Sequence, residues 1–367
     1  MFNKLIKVGC NFIYFILKFK RTQDNKIVFI SRLSNDKTLD FKLLEESLNK
    51  EGYNNIVFCC KRIDNFKEDL IGNIKYTIKC LNELATSKVC VTDSYTLAVS
   101  AVKHKKNLKV IQIWHSMGAI KKFGYQTIGK TSGRDYQTAK ILNMHQNYDY
   151  IISGSNAMTK YFAKAFNYPE KTFLNYGLPR MDYLLQNEKK LKKIIFDKYP
   201  SLKKKKNILY APTFRTTKDD KSLDLINNIN FEKYNLIIKG HANQKIDVKN
   251  PSVLTCKDTT ALDLLTVCDY LITDYSGIAI EAAILLKKTF YFVYDYKKYQ
   301  QNNGLNIDLY KEMPGCVFDN AKELVKAIDS PYNLDVIENY KKKYIDVANG
   351  KSTEKICQLI IKNIKDK

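Results

Sequence analysis

Short apolar runs alternate with longer amphipathic stretches along most of this chain. Lys26 to Ser31, Ile56 to Cys60, Lys88 to Thr92, Val110 to Trp114 and Tyr150 to Ser153 have the length and the β-branched or aromatic content of buried strands. Helix-length sequence follows each of them. This alternation predicts a parallel sheet flanked by helices, wound by right-handed crossovers into a doubly wound domain. The pattern breaks at Glu188 to Lys206, which is Lys-rich, contains Pro200 and ends in the run Lys203-Lys204-Lys205-Lys206. It then resumes, with strands expected at Asn207 to Ala211, Asn235 to Lys239, Tyr270 to Thr273 and Thr289 to Val293. The predicted organisation is therefore an N-terminal Rossmann-like domain over 22–187, a linker over 188–206, a second Rossmann-like domain over 207–340, and closing helices over 341–367 that fold back on the first domain.

Residues 1–21 follow another rule. Only ten uncharged residues run together, Val8 to Leu17, about half of the roughly 20 needed to cross a bilayer. Lys18, Lys20 and Arg21 follow directly, with no small-residue cleavage site between. Wound as a helix, Lys4, Lys7, Asn11, Tyr14 and Lys18 form one narrow polar stripe. Leu5, Ile6, Phe12, Ile13, Phe15, Ile16 and Phe19 cover the rest, a pattern that predicts a helix lying in the interface of an anionic membrane. The competing expectation is that the apolar face packs on the protein itself.

Composition agrees with two cores. The chain has 367 residues, 45% hydrophobic and 12% aromatic, which excludes a disordered protein. Lys and Arg number 61 against 38 Asp and Glu, a net charge of +23. That field favours phosphates, anionic lipids or nucleic acid, although many of the lysines are scattered singly on solvated helix faces. The nine cysteines show no Cys-x-x-Cys spacing, so neither a zinc site nor a disulfide framework is expected, and a reducing compartment is.

Ligands of doubly wound sheets bind beyond the carboxyl ends of the strands, so the residues just after each strand are the candidates. Trp114-His115-Ser116 follows one strand, and His115 there can serve as a general base near neutral pH. Gly118, Lys121, Lys122 and Gly124 add pliant backbone and charge. Lys239-Gly240-His241 occupies the corresponding place in the second half, whereas His104 and His145 read as packing or surface residues. Asp274-Tyr275-Ser276-Gly277 ends a strand and opens an apolar helix, where free amides suit a diphosphate. Glu281 lies one turn further on, as an acceptor for ribose hydroxyls. Arg215 follows the strand ending at Ala211 and can clamp a phosphate. Gly177-Leu178-Pro179-Arg180-Met181-Asp182 reads as a hinge-like turn. Gly124, Gly129, Lys130 and Thr131 also satisfy the phosphate-loop pattern, but they do not leave a strand directly, so an NTPase is a weaker alternative. No acidic cluster suited to magnesium is evident, and a metal is not expected to be essential.

Taken in order, Trp114-His115 with Lys121-Lys122-Phe123-Gly124, Gly177 to Asp182, Ala211-Pro212-Thr213-Phe214-Arg215, His241, and Thr273 to Gly277 resemble the CDP-glycerol glycerophosphotransferase family of teichoic acid synthesis. The similarity spans roughly Lys88 to Tyr299. It implies a glycosyltransferase-B-like fold, an N-terminal acceptor domain and a C-terminal domain that binds the CDP-polyol. It implies a peripheral enzyme at the cytoplasmic face of the bacterial membrane, acting on a lipid-linked saccharide, with CDP-glycerol or CDP-ribitol as substrate, no further cofactor and no nucleic-acid partner. In the family the histidine matching His115 is the catalytic base, and the one matching His241 is a donor contact or second catalytic histidine. Asp274, Ser276, Gly277, Glu281 and Arg215 then fall on the donor, and Lys121, Lys122 and Arg180 on the acceptor or a phosphate. Three departures touch the polyol and acceptor sites: Ser116-Met117-Gly118 replaces Gly-Thr-Pro, Ala242 replaces a proline, and Gly277 replaces a serine. Ribitol therefore stands as an alternative to glycerol, as does a nucleotide-sugar donor, and the chain length suggests a primase.

Overall fold

The computed structural model describes residues 1–213, 221–240, 250–347 and 349–366, which divide into two compact α/β units. The first comprises Met1–Met117, Phe123–Asp182 and Lys351–Lys367, and the second Gly118–Lys122 and Tyr183–Gly350.

The first unit is built on β1 (Ile27–Ser31), β2 (Ile56–Cys60), β3 (Val89–Thr92), β4 (Lys109–Gln112), β5 (Tyr150–Ser153) and β6 (Phe173–Asn175). All are parallel, in the order β2-β1-β3-β4-β5-β6. β1 and β3 are buried along their whole length, because helices cover both faces of the sheet. The second unit carries β7 (Lys206–Tyr210), β8 (Tyr234–Ile238), β9 (Val253–Leu254), β10 (Tyr270–Thr273), β11 (Lys288–Phe292) and β12 (Val317–Phe318). These are parallel in the order β12-β11-β10-β7-β8-β9. The long strands fall where the apolar runs predict them, to within a residue or two. The strands without a sequence signal, β6, β9 and β12, have two or three residues each and lie at sheet edges. Such edges form because a neighbouring strand offers hydrogen bonds, and they are too short to show a period.

The stretch expected as a linker is more ordered than its composition suggests. Helix Pro179–Lys198 runs through it, followed by a 3-10 turn at Pro200–Lys203. Ile195 and Leu202 enter the core of the second unit beside Leu209, Ile237 and Leu271. Lysine is a good helix former, so a Lys-rich run with Leu191 and Ile195 one turn apart is compatible with a helix. The last helix, Ser352–Lys365, belongs to the first unit, where it packs on α2 (Leu39–Lys50).

The N-terminal helix, α1 (Phe2–Leu17), is present with its faces reversed from the packed-helix expectation. Its polar stripe points inward: Asn3 donates to Thr138 Oγ1 (2.9 Å), Lys7 to Asn143 Oδ1 (2.9 Å) and Asn11 to the Ala101 carbonyl (3.1 Å). Tyr14 is buried against His104. Leu5, Val8, Phe12, Phe15, Ile16 and Phe19 are each more than half exposed, and Ile71, Ile74 and Ile78 of α3 (Leu70–Thr86), which packs on α1, extend that apolar surface. All nine cysteines are free thiols.

One buried carboxylate docks the last helix. Asp182, 4% exposed, accepts the amides of Ser352 (3.1 Å) and Thr353 (2.7 Å), which would otherwise be orphaned at the start of that helix. Asp182→Ala is expected to lower stability by about 2 kcal/mol in urea unfolding; a loss near zero would mean that water satisfies those amides equally well.

Candidate active site

In the first sheet the chain steps outward from β1 to β2 and then returns to the other side of β1 with β3. The loops leaving β1 and β3 therefore diverge, opening the crevice in which doubly wound sheets bind ligands. Ser31 and Arg32 leave β1, Asp93-Ser94-Tyr95 leave β3, and Trp114-His115 follow β4 alongside.

Trp114 has φ 58°, a left-handed backbone that costs a residue with a Cβ free energy and recurs at functional sites. The kink is held by the Trp114 amide donating to Gln112 Oε1 (2.8 Å) and by the indole, which stacks on Phe123 and meets the edge of Phe166. It brings His115 Nδ1 to 3.1 Å from the Asp93 carbonyl. A carbonyl only accepts, so Nδ1 carries the proton and the basic lone pair lies on Nε2. Arg180 ties the same loop from another side: its Nη1 donates to the His115 carbonyl (3.4 Å). Buried Asp40 in turn accepts from the Arg180 backbone amide (2.9 Å), from Nε (2.9 Å) and from Nη2. Arg180, expected on the acceptor or a phosphate, has a guanidinium that grips Asp40 and steadies the histidine loop.

Asp93 is the site residue that sequence reasoning missed. It is 2% exposed, and neither carboxylate oxygen has a hydrogen-bond partner of good geometry. Burial pushes this carboxyl up to about 7, with the nearby Ser31 and Ser94 hydroxyls pulling the other way. The signal was available, since Asp93 directly follows the strand ending at Thr92, the same rule that singled out His115. The other described histidines pack, as expected. His104 bonds the Val99 carbonyl, and burial lowers its pKa to about 4. His145 is buried among Trp114, Tyr95 and Phe166, which lowers its pKa to about 3.

After Met117 the chain crosses into the second unit. There the Lys122 amide donates to the Gly304 carbonyl (3.0 Å), that of Asn306 to the Ile120 carbonyl (2.8 Å), and Lys121 bridges Leu305 in antiparallel register. Lys121 and Lys122 are thus set on a short ladder, both half-buried.

The second sheet has its own reversal point, between β7 and β10. Ala211-Pro212-Thr213 and Asp274-Tyr275-Ser276-Gly277 emerge there. Asp274, expected on the donor, joins these loops: it accepts from the Thr213 amide (2.9 Å), the Thr213 hydroxyl (2.6 Å) and the Tyr275 amide (2.6 Å). Tyr275 is fully buried, donates to Asp295 (3.0 Å) and stacks on Tyr299 at 3.9 Å. The helix Ile278–Ile284 then starts with no side-chain cap. Among the described residues, the amides of Ser276, Gly277 and Ile278 donate to no protein acceptor, which is the arrangement an anion needs. Glu281 lies in the first turn of this helix and is largely buried. Arg215 and His241 lie outside the described residues.

The phosphate-loop alternative fails on geometry. Gly124–Thr127 form a 3-10 turn, Gly129 to Gly133 continue as turns, and the next helix starts only at Tyr136. A phosphate loop needs a strand before it and a helix directly after.

Two doubly wound parallel units, each with its polar residues gathered where the strand order reverses, define the class of α/β protein that handles nucleotide-type ligands at strand ends. The comparisons narrow that class. The family model described as CDP-Glycerol:Poly(glycerophosphate) glycerophosphotransferase matches residues 12–362. A teichoic acid ribitol-phosphate primase of Bacillus spizizenii is 30% identical over 92% of this chain and 91% of its own. A teichoic acid glycerol-phosphate primase of Bacillus subtilis is 31% identical over 78% of this chain and 76% of its own. The wall teichoic acid polymerase TagF shares the fold, with a TM-score of 0.76 at 20% identity over 100% of this chain and 98% of that one. The chain belongs to the CDP-glycerol glycerophosphotransferase family and is a transferase of that type.

Asp93 gives a pH signature. With its folded pKa raised to about 7 and an unfolded value of about 3.9, the folded chain keeps a proton that the unfolded chain has released. Stability therefore falls as pH rises from about 4 to about 7 and levels off above, where a buried charge remains, at a cost of at most about 4 kcal/mol. Asp93→Asn is expected to leave the thermal midpoint unchanged near pH 4 and to raise it at pH 8; equal shifts at both pH values would show that the carboxyl titrates normally.

Proposed function

We propose that the chain transfers a polyol phosphate from a CDP-polyol to a hydroxyl of a lipid-linked acceptor at the cytoplasmic face of the bacterial membrane, releasing CMP, in teichoic acid assembly. The family match over nearly the whole chain carries this reading. The family description supports glycerol phosphate as the first reading of that group. Ribitol phosphate is the second reading, because a ribitol-phosphate primase and a glycerol-phosphate primase match at almost the same identity.

In the proposed reaction the acceptor hydroxyl gives its proton to Nε2 of His115 as its oxygen bonds to the phosphorus bearing the polyol. The bond from that phosphorus to the bridging oxygen breaks, and CMP leaves with the electron pair. Catalysis rests on positioning and on charge stabilisation. The tie from His115 Nδ1 to the Asp93 carbonyl keeps Nε2 basic. The amides of Ser276, Gly277 and Ile278 supply donors for the diphosphate, Glu281 an acceptor for the ribose, and Lys121 and Lys122 positive charge. Arg215 and His241 complete the donor contacts on sequence grounds. Asp274 acts by joining the two donor loops, and no metal cofactor is assigned.

Exposed phenylalanines on α1, with cations at its flanks, support a peripheral membrane enzyme. No described helix is long and apolar enough to cross a membrane.

The test is CMP release from a panel of CDP-glycerol, CDP-ribitol and UDP-sugars with a soluble acceptor analogue, in buffer with and without EDTA. One CDP-polyol is expected to react, EDTA to leave the rate intact, and His115→Ala to lower kcat about a thousandfold with donor affinity kept. Turnover of a UDP-sugar alone would overturn the assignment, and loss of donor binding would remove His115 from the role of base. Phe12→Glu with Phe15→Glu is expected to weaken binding to anionic vesicles by roughly tenfold or more. Unchanged binding would assign the exposed face of α1 to another partner.

A further inference from the structure

The crevice at the β1/β3 reversal of the first unit opens into a cavity of about 500 Å³ that the proposed chemistry leaves unused. Its polar end is cationic. Arg32, leaving β1, and Arg134 both lie over the ring of Tyr95, at 6.0 and 4.6 Å from its centroid. Both guanidiniums are partly buried, and among the described residues neither forms an ion pair. Asp64, the one carboxylate among the described residues that line the cavity, is bound to Arg62 at 2.9 Å. Burial and the repulsion of Arg134 push the pKa of Arg32 down, and the pull of Tyr95 and Asp64 the other way only partly offsets them. Lys67 stands at the rim, over the ring of Phe2.

The other end of the cavity is apolar. It runs through Phe2, Ile6, Phe66 and Leu97 into a second cavity of about 330 Å³ between α1 and α3, lined further by Leu5, Ile13 and Ile78. This groove opens on the exposed apolar surface of the two helices. A cationic pocket continuous with an apolar groove matches an amphiphile with an anionic head and a hydrocarbon chain. Two guanidiniums lining one cavity, each able to bind phosphate oxygens bidentately, match a diphosphate better than a single phosphate.

We propose that this cavity binds the diphosphate of a long-chain lipid on Arg32 and Arg134, with the hydrocarbon chain in the groove between α1 and α3. The occupant is the lipid end of the acceptor. The Arg32 amide donates to Ser94 Oγ (3.2 Å), and the preceding residue, Asp93, offers the carbonyl that orients His115. A head group bound here therefore sits one loop away from the proposed base. The inference rests on the transfer reading for its purpose, but its test needs no turnover.

The experiment uses the full chain and two sets of phosphatidylcholine vesicles of equal surface charge, one doped with a polyprenyl diphosphate and one with phosphatidylglycerol. Arg32→Gln and Arg134→Gln are each expected to weaken binding to the polyprenyl diphosphate vesicles by roughly tenfold or more and binding to the phosphatidylglycerol vesicles by less than about twofold. Equal losses on both sets, which would mean general surface electrostatics, or no loss on either, would overturn the site. If a glutamine variant melts below the assay temperature, Arg32→Lys and Arg134→Lys keep the charge but remove the fork, and the same preferential loss is required of them. A wild-type chain that turns over no CDP-polyol would sink the transfer reading and leave this binding comparison intact.

Discussion

Both units depend on one topological constraint. A right-handed crossover places each new parallel strand beside an earlier one, so a sheet that grows first to one side and then to the other must have a pair of neighbouring strands whose exit loops part. In the first sheet these are β1 and β3, and in the second β7 and β10. Nearly every residue with a chemical role leaves one of these strands or the strand next to it. The exit loops that part there give polar side chains a place to collect beyond the strand ends.

Each reversal point is held open by its own polar device. In the second unit, Asp274 takes donors from Thr213 and Tyr275 and so fixes the separation of the loops leaving β7 and β10. In the first, the work is divided between Arg180 on Asp40 and His115 on the Asp93 carbonyl. A buried carboxylate that accepts several well-formed bonds is inexpensive, and one that accepts none is not. Asp274 and Asp40 are of the first kind. Asp93 is of the second, and a raised proton affinity is the physical outcome.

The N-terminal helix shows how an amphipathic pattern can be satisfied in the opposite sense to a core helix. A surface helix usually packs through its apolar side. Here the seam is polar, made by Asn3, Lys7, Asn11 and Tyr14, and the phenylalanines remain outside. Hydrogen bonds to Thr138, Asn143 and the Ala101 carbonyl can hold the helix because each replaces a bond to water at the edge of the unit. The apolar face is then left exposed.

The amino-acid order by itself determined the parallel α/β class, the positions of the long strands, and the motifs at their ends, because apolar runs of strand length must be buried on both faces and ligands must lie beyond them. It marked His115, Ser276 and Gly277 by position and drew the stripe on α1. It did not determine the short edge strands, which exist only as neighbours of longer ones. Nor did it reveal that Glu188 to Lys198 continues a helix, since a Lys-rich run is equally compatible with a solvated linker until Ile195 finds a core. The partners of Arg180 and Asp274 within the chain were out of reach for the same reason. Whether a charged group meets a ligand or a neighbour depends on partners such as Asp40 and Thr213, distant in sequence and adjacent only once the sheets have formed. The sense in which α1 faces the protein was decided there too, because amphipathicity fixes two faces of a helix, and only the surface it lands on chooses between them.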